Sequence, residues 1–212
     1  MLSEKLNEYI DALIPPRDAF FREMEQYAKD HHIPIMELSG MEAVLQILKI
    51  QQPKKILEIG TAIGYSALRM AAVLPKTMIV TIERDSGRLQ LAKQYVMRAG
   101  KQEQIMLMSG DALNMGQVIS ALGPFEAIFI DAAKGQYRRF FETFEPYLAE
   151  KGLFLIDNVL FRGLVAEQDQ AEKRLRNLVR KINSFNEWLM SQSNYETVIL
   201  PVGDGVAISK KR

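Results

Sequence analysis

Five short apolar runs, KKILEIG, TMIVTIE, QIMLMSG, FEAIFID and GLFLIDN, recur along the chain, each followed by a segment of helical periodicity. Runs that are apolar at nearly every position fit strands buried on both faces, and an intervening helix returns the chain to begin the next strand in parallel. The pattern predicts an α/β fold, a mostly parallel sheet with helices on both faces. The last two runs, YETVILPVG and GVAISKK, are separated only by Asp204 between glycines, which predicts a hairpin and an antiparallel final strand. Before the first run, helical periodicity over 3–13 and 18–31 lies on either side of Pro15 and Pro16, and a third helix is expected from about Ser39, positioned to cap it. This preface, residues 1–52, is expected to pack over one edge of a core spanning 53–212, the whole forming one domain.

Composition narrows the chemistry. With 48% hydrophobic residues in 212, the chain can bury one core. No apolar run reaches the roughly 18 residues of a membrane span. The start, MLSEKLNEYID, is acidic and amphipathic, unlike a secretion signal. A cytoplasmic protein without a membrane partner is expected. The absence of cysteine excludes disulfides, thiolate metal sites and a cysteine nucleophile, so a metal would sit on oxygen or on His31 and His32. Adjacent histidines at a helix end read better as exposed or capping groups. A net charge of +1 creates no global field for a polyanion, although a local basic patch stays open.

In such a sheet, ligands gather where the strands end. After the first run, LEIGTAIGYSA sets Gly60 and Gly64 around a turn into a helix, where free N–H groups suit either a nucleotide or a methionine moiety. The dinucleotide fingerprint needs G-x-G-x-x-G, whereas this loop reads G-T-A-I-G-Y, which favours a ligand without phosphate over NAD. Glu83 ends the second run near the spacing of about 20 residues at which an acid accepts ribose hydroxyls. Asp111 and Ala112, after the third, stand where an adenine would lie. Asp131 ends the fourth run and Asp157 with Asn158 the fifth, three oxygen ligands that would suit octahedral Mg²⁺. Lys134, on the loop after Asp131, could take a proton or steady an oxyanion.

Five βα units closed by a hairpin resemble the seven-stranded, Rossmann-like sheet of class I methyltransferases. LEIGTAIGYSA, Glu83, GDA, DAAKGQY and IDN together resemble the cation-dependent catechol and caffeoyl-CoA O-methyltransferases across about 36–211. The resemblance implies S-adenosylmethionine as methyl donor and Mg²⁺ or another divalent cation. It makes Asp131, Asp157 and Asn158 metal ligands, and Lys134, with Asp131, catalytic. Met36, Glu58, Gly60, Gly64, Ser66, Glu83, Asp111, Ala112 and Asp131 would surround the cofactor, Glu83 at the ribose and Ser66 at the methionine carboxylate. A homodimer is expected on the same ground. Within that family HHIPIME, GTAIGYSALRM, DNVLFRGLVAE and PVGDGVAISKK resemble the bacterial tRNA 5-hydroxyuridine methyltransferases, which implies the tRNA anticodon loop as partner.

A polyanion needs cations, and these are grouped. Lys173, Arg174, Arg176, Arg180 and Lys181 crowd one helix, Arg138 and Arg139 follow the Asp131 loop, and Arg162 follows Asn158. Lys210, Lys211 and Arg212 form the tail, and Arg17 and Arg22 sit in the preface. From these, Arg17, Arg22, Arg138, Arg162, Arg174 and Arg176 are the RNA-binding candidates; each could equally belong to a solvated face. Phe161 could stack on a base or anchor the next helix, and Phe185, Trp188 and Leu189 read as a packing face or dimer contact. A methyltransferase of small catechols and a non-catalytic cofactor-binding module docking on RNA or protein remain the alternatives.

Overall fold

The computed structural model describes residues 4–167, 169 and 172–212. Its strands are β1 Lys55–Ile59, β2 Met78–Glu83, β3 Ile105–Ser109, β4 Phe125–Ile130, β5 Leu148–Ile156, β6 Tyr195–Leu200 and β7 Val206–Lys211. They form one seven-stranded sheet in the order β3-β2-β1-β4-β5-β7-β6. The first five strands are parallel, and β7 inserts antiparallel between β5 and β6. This is the class I methyltransferase sheet, with the strand order reversing between β1 and β4.

Helices cover both faces: α1 Glu4–Leu13, α2 Ala19–Asp30, α3 Leu38–Gln51, α4 Tyr65–Val73, α5 Ser86–Arg98, α6 Gly116–Ser120, α7 Tyr137–Phe144 and α8 Arg176–Met190. Among the described residues no helix is long and apolar enough to cross a membrane. Val44, Leu45 and Leu48 of α3 join Ile56, Ala127, Phe129, Leu153 and Leu155 in one buried cluster, to which α2, α4 and α5 also contribute. The opposite side chains of the same strands, Leu57, Ile128, Phe154 and Ile156, meet Phe140, Phe141 and Phe144 of α7 and Phe185 and Leu189 of α8. Each fully buried leucine contributes roughly 1.5–3 kcal/mol of burial free energy, so α3 is held firmly.

Two expectations about the preface are corrected. It covers a face of the sheet and not an edge: the apolar residues of α3 fall in one buried cluster with those of β1, β4 and β5, and Gln51 donates to the Lys151 carbonyl at 2.9 Å. Ser39 is not the cap. The first helical bond of α3 runs from Met41 N–H to the Glu37 carbonyl, so the extended Glu37 is the capping position and Ser39 lies inside the helix. By contrast, α2 carries a side-chain cap, with Asp18 accepting from Phe21 N–H at 3.0 Å.

Candidate active site

Alternation along the strands decides what faces the crevice. Ile56 points to the α3 side, so Glu58 does as well, followed by Gly60; in the same way Phe129 is followed by Asp131 and Leu155 by Asp157. The tips of β2, β4 and β5 therefore deliver carboxylates to one side, around a cavity of about 700 Å³, while the carboxylate of β1 lies beneath it.

The turn after β1 is built on close approach. Gly60 has φ +100, and a Cβ there would fall 1.9 Å from the Asp131 carbonyl oxygen. Gly64, φ +85, forms the N-terminal cap of α4. Exchanging Gly60 for alanine is expected to cost at least about 2 kcal/mol of stability, from the positive φ and the displaced Asp131 backbone, read as a lower denaturation midpoint. Ala62, also at positive φ, donates its N–H to Glu83 Oε2 at 2.8 Å, while Glu83 Oε1 accepts from Asp85 N–H at 2.9 Å. Two backbone donors thus hold the Glu83 carboxylate still, with lone pairs left for the cavity it lines.

One layer below, Glu58 is fully buried and accepts hydrogen bonds from the Ser66 and Thr81 hydroxyls. Burial pushes its pKa up to about 7; the two hydroxyls work against this, and Asp131 and Glu83 add to it. Glu58 lies beneath the cavity wall and meets the cavity through Ser66, which lines it. Ser66 does line the wall, but its proton goes to Glu58, so it faces the cavity as an acceptor. Met36, Gly60, Asp111 and Ala112 line the wall too, with Asp111 accepting from Leu113 N–H at 3.1 Å; Gly64 shapes the turn from outside it.

The β4–β5 register pairs Ile130 with Ile156, which sets residues 131 and 157 side by side, and Asp157 N–H donates to the Ile130 carbonyl at 3.0 Å. Asn158, φ +63, turns its amide back so that Nδ2 donates to Asp157 Oδ2 and Oδ1 accepts from Lys134 Nζ at 2.6 Å. Burial pushes the Asp131 carboxyl up to about 6 against the opposing pull of Lys134. Burial, and then repulsion from Asp131, raises Asp157 well above the carboxylate range. Two desolvated carboxylates facing one another with a single ammonium nearby make a site that a divalent cation would relieve. Among the described residues no group of three or more His, Cys, Asp or Glu could hold a metal; the donors here are two carboxylates and one amide oxygen, a hard, all-oxygen set. His31 stacks on Tyr27 at the exposed end of α2 and is absent from the cavity wall, as is His32.

The O-methyltransferase family model matches residues 16–212. The chain belongs to the O-methyltransferase family. It is 30% identical to a catechol O-methyltransferase of Niastella koreensis, covering 97% of this chain and 96% of that one. A crystal structure of a Staphylococcus aureus protein, provisionally assigned as a caffeoyl-CoA O-methyltransferase, superimposes with TM-score 0.92 at 33% identity over 99% and 100% of the two chains. A Podospora anserina methyltransferase crystallised with S-adenosylhomocysteine matches with TM-score 0.86 at 25% identity over 99% and 94%.

The arginines of this O-methyltransferase divide sharply. Arg162 lines the cavity, and Arg138, bonded to Glu142 at 2.8 Å and lying 4.8 Å from the Trp188 ring, lines a groove beside it. Arg17 grips Glu25 through two nitrogens at 2.8 and 2.9 Å and lines neither cavity. Arg174 pairs with Glu172, and Arg22 and Arg176 lie on exposed helical positions outside both cavities. Phe161 lines the cavity with its ring 5.8 Å from Lys134 Nζ. Phe185, Trp188 and Leu189 pack inside the chain, with Trp188 edge-on to Phe141 at 5.3 Å. Sequence reasoning missed Arg84, Arg88 and Asp204 in the wall. Arg84 follows Glu83 and could have been found; Asp204 read only as a turn residue, yet its charge adds to the upward push on Asp157.

Proposed function

We propose that this chain is a divalent-cation-dependent O-methyltransferase that uses S-adenosylmethionine, with 5-hydroxyuridine at the tRNA wobble position as acceptor and 5-methoxyuridine as product. One observation carries the reaction class: Asp131, Asp157, Asn158 and Lys134 open into the same cavity as the Gly60 turn and Glu83. Bound there, the cation would draw electron density from the acceptor hydroxyl, and the sulfonium would supply an electrophilic methyl group.

The chain's own residues do the rest by position and charge. Glu83, held by two backbone N–H groups, receives the ribose hydroxyls, while the Gly60 turn and Met36 confine the methionine end. Asp131, Asp157 and the Asn158 amide oxygen would hold the cation. Lys134, already hydrogen-bonded at the Asn158 amide, steadies the acceptor's oxyanion as an ammonium or, in its neutral amine form, takes the acceptor's proton as the methyl passes to oxygen. Phe161 closes one wall against the acceptor ring.

The acceptor reading rests on the resemblance of HHIPIME and DNVLFRGLVAE to tRNA 5-hydroxyuridine methyltransferases, and on chemistry. A 5-hydroxyuracil sets its hydroxyl beside the C4 carbonyl, so two oxygens can face one cation as in a catechol, and an anticodon-loop base is already unpaired. Incubation with labelled S-adenosylmethionine and hydroxylated tRNA is expected to transfer label, and EDTA to abolish transfer. Full transfer after thorough chelation would reject the cation's role. The 30% identical catechol enzyme favours a second reading, a small catechol as acceptor. Ionic strength separates the two, because tRNA turnover should weaken steeply with salt and catechol turnover should not.

A further inference from the structure

Beside the main cavity runs a second groove of about 320 Å³, between the loop after β4 and the exposed side of α8. Lys134, Arg138, Arg180 and Lys181 line it, and no carboxylate does. Among the described residues neither Arg180 nor Lys181 is ion-paired. Arg138 gives its Nε to Glu142 and rests on Trp188, which leaves its terminal nitrogens unassigned to any carboxylate. Gly135 lies against the Lys181 side chain: a Cβ there would sit in ordinary contact, 3.6 Å from Lys181 Cδ and 3.9 Å from its Nζ. Ser184, one turn beyond Arg180 on α8, adds a neutral hydroxyl.

Four cations converging on one concave surface repel one another, and a low-dielectric wall focuses their field on whatever anion enters. Lys134 lines both this groove and the main cavity, so the two spaces meet at the lysine beside the acceptor site. An anion covalently attached to the acceptor could therefore occupy the groove while the acceptor oxygen faces Asp131 and Asp157. Guanidinium forks and ammonium groups together suit phosphate oxygens.

Resting on the methyl-transfer reading above, we infer that the groove lined by Arg138, Arg180 and Lys181 is a subsite for a phosphate group of the acceptor substrate. Two sources carry that chemistry, the phosphodiester of an RNA strand and the phosphates of a coenzyme A thioester.

The test compares the wild-type protein with R180E/K181E, two exposed positions, and with K76E/K93E, which changes net charge equally at exposed positions outside the groove. Affinity for a single-stranded oligoribonucleotide and for coenzyme A is measured across a salt series, and methylation of the free 5-hydroxyuridine nucleoside and of a simple catechol is followed alongside. The groove variant is expected to lose at least about tenfold in affinity for one of the two ligands, which identifies the source. If that ligand is RNA, the slope of log K against log salt should fall by about 0.7, the value for one lost phosphate contact on a single strand. Turnover of the phosphate-free acceptors should stay unchanged in both variants. Unchanged affinity for both ligands, an equal loss in K76E/K93E, or an equal loss of turnover on the phosphate-free acceptors would overturn the subsite. Absence of methyl transfer to any acceptor, with groove-dependent binding intact, would instead reject the methyl-transfer reading and leave the anion site standing.

Discussion

Lys134→Ala is expected to lower kcat by about a hundred- to ten-thousandfold, the range that a positioned proton acceptor or a charge on the developing oxyanion supplies. Lys134 Nζ sits 2.6 Å from Asn158 Oδ1, with its side chain partly exposed to the cavity, so truncation removes a charge without opening the hydrophobic core. S-adenosylhomocysteine affinity, read by calorimetry, should remain within a few-fold of wild type, because the Gly60 turn and Glu83 are built on backbone contacts that Lys134 does not make. Steady-state kinetics that show a raised KM with intact kcat would assign Lys134 to acceptor binding alone. Lys134→Arg keeps the charge but alters reach and proton affinity, so partial recovery is expected from an electrostatic role and little from a proton-transfer role.

Asp157→Asn should separate stability from activity. Methyl transfer is expected to fall by at least about a thousandfold, since one of two carboxylates is lost from a site whose remaining neutral donors bind a divalent cation weakly. Apo stability should move the other way. Asp157 is buried, and its carboxyl is raised by burial and by Asp131; an amide of the same shape removes that repulsion while the Tyr137 hydroxyl still donates to the backbone carbonyl of residue 157 at 2.8 Å. A higher denaturation midpoint at pH 8 is expected in denaturant titrations without metal. A loss of apo stability would show that the Asp157 carboxylate is needed for folding.

The sign of the pH dependence follows from the same pair. Asp131 has a folded-state pKa of about 6, above its unfolded value near 3.9, so between those values the folded chain retains a proton that the unfolded chain has lost. Stability without metal is therefore greatest below about pH 4 with respect to this group and is lost as pH rises through about 6. Asp157, shifted in the same direction, adds a loss of the same sign as pH rises. A bound cation reverses the effect by favouring the charged forms. Thermal stabilisation by Mg²⁺ should thus be larger at pH 8 than at pH 5, and an equal shift at both values would contradict the pairing.

The strand tips were legible for a physical reason. Parallel strands buried on both faces read as unbroken apolar runs, and in-register pairing sets the residue after each run at one edge, so Asp131, Asp157 and Asn158 could be brought together on paper. Less legible were the features that depend on distant partners. Nothing in LEIG shows that Glu58 is taken up by Thr81 from the neighbouring strand, and nothing near Arg17 shows that Glu25 and Tyr65 form one network with it. Helical periodicity reveals that α3 has an apolar stripe but not which face of the sheet it covers. The meeting of Arg180 and Lys181 with the Lys134 loop depends on how α8 docks, which local sequence does not encode.

Anomalous diffraction from crystals grown with Mn²⁺ and S-adenosylhomocysteine tests the central claim most directly. One manganese peak is expected, bonded to carboxylate oxygens of Asp131 and Asp157 and to Asn158 Oδ1, with the sulfur of the cofactor product opening into the same cavity and Glu83 on its ribose. A cavity that takes up the nucleoside but leaves those three side chains without metal, or a manganese bound elsewhere, would contradict it.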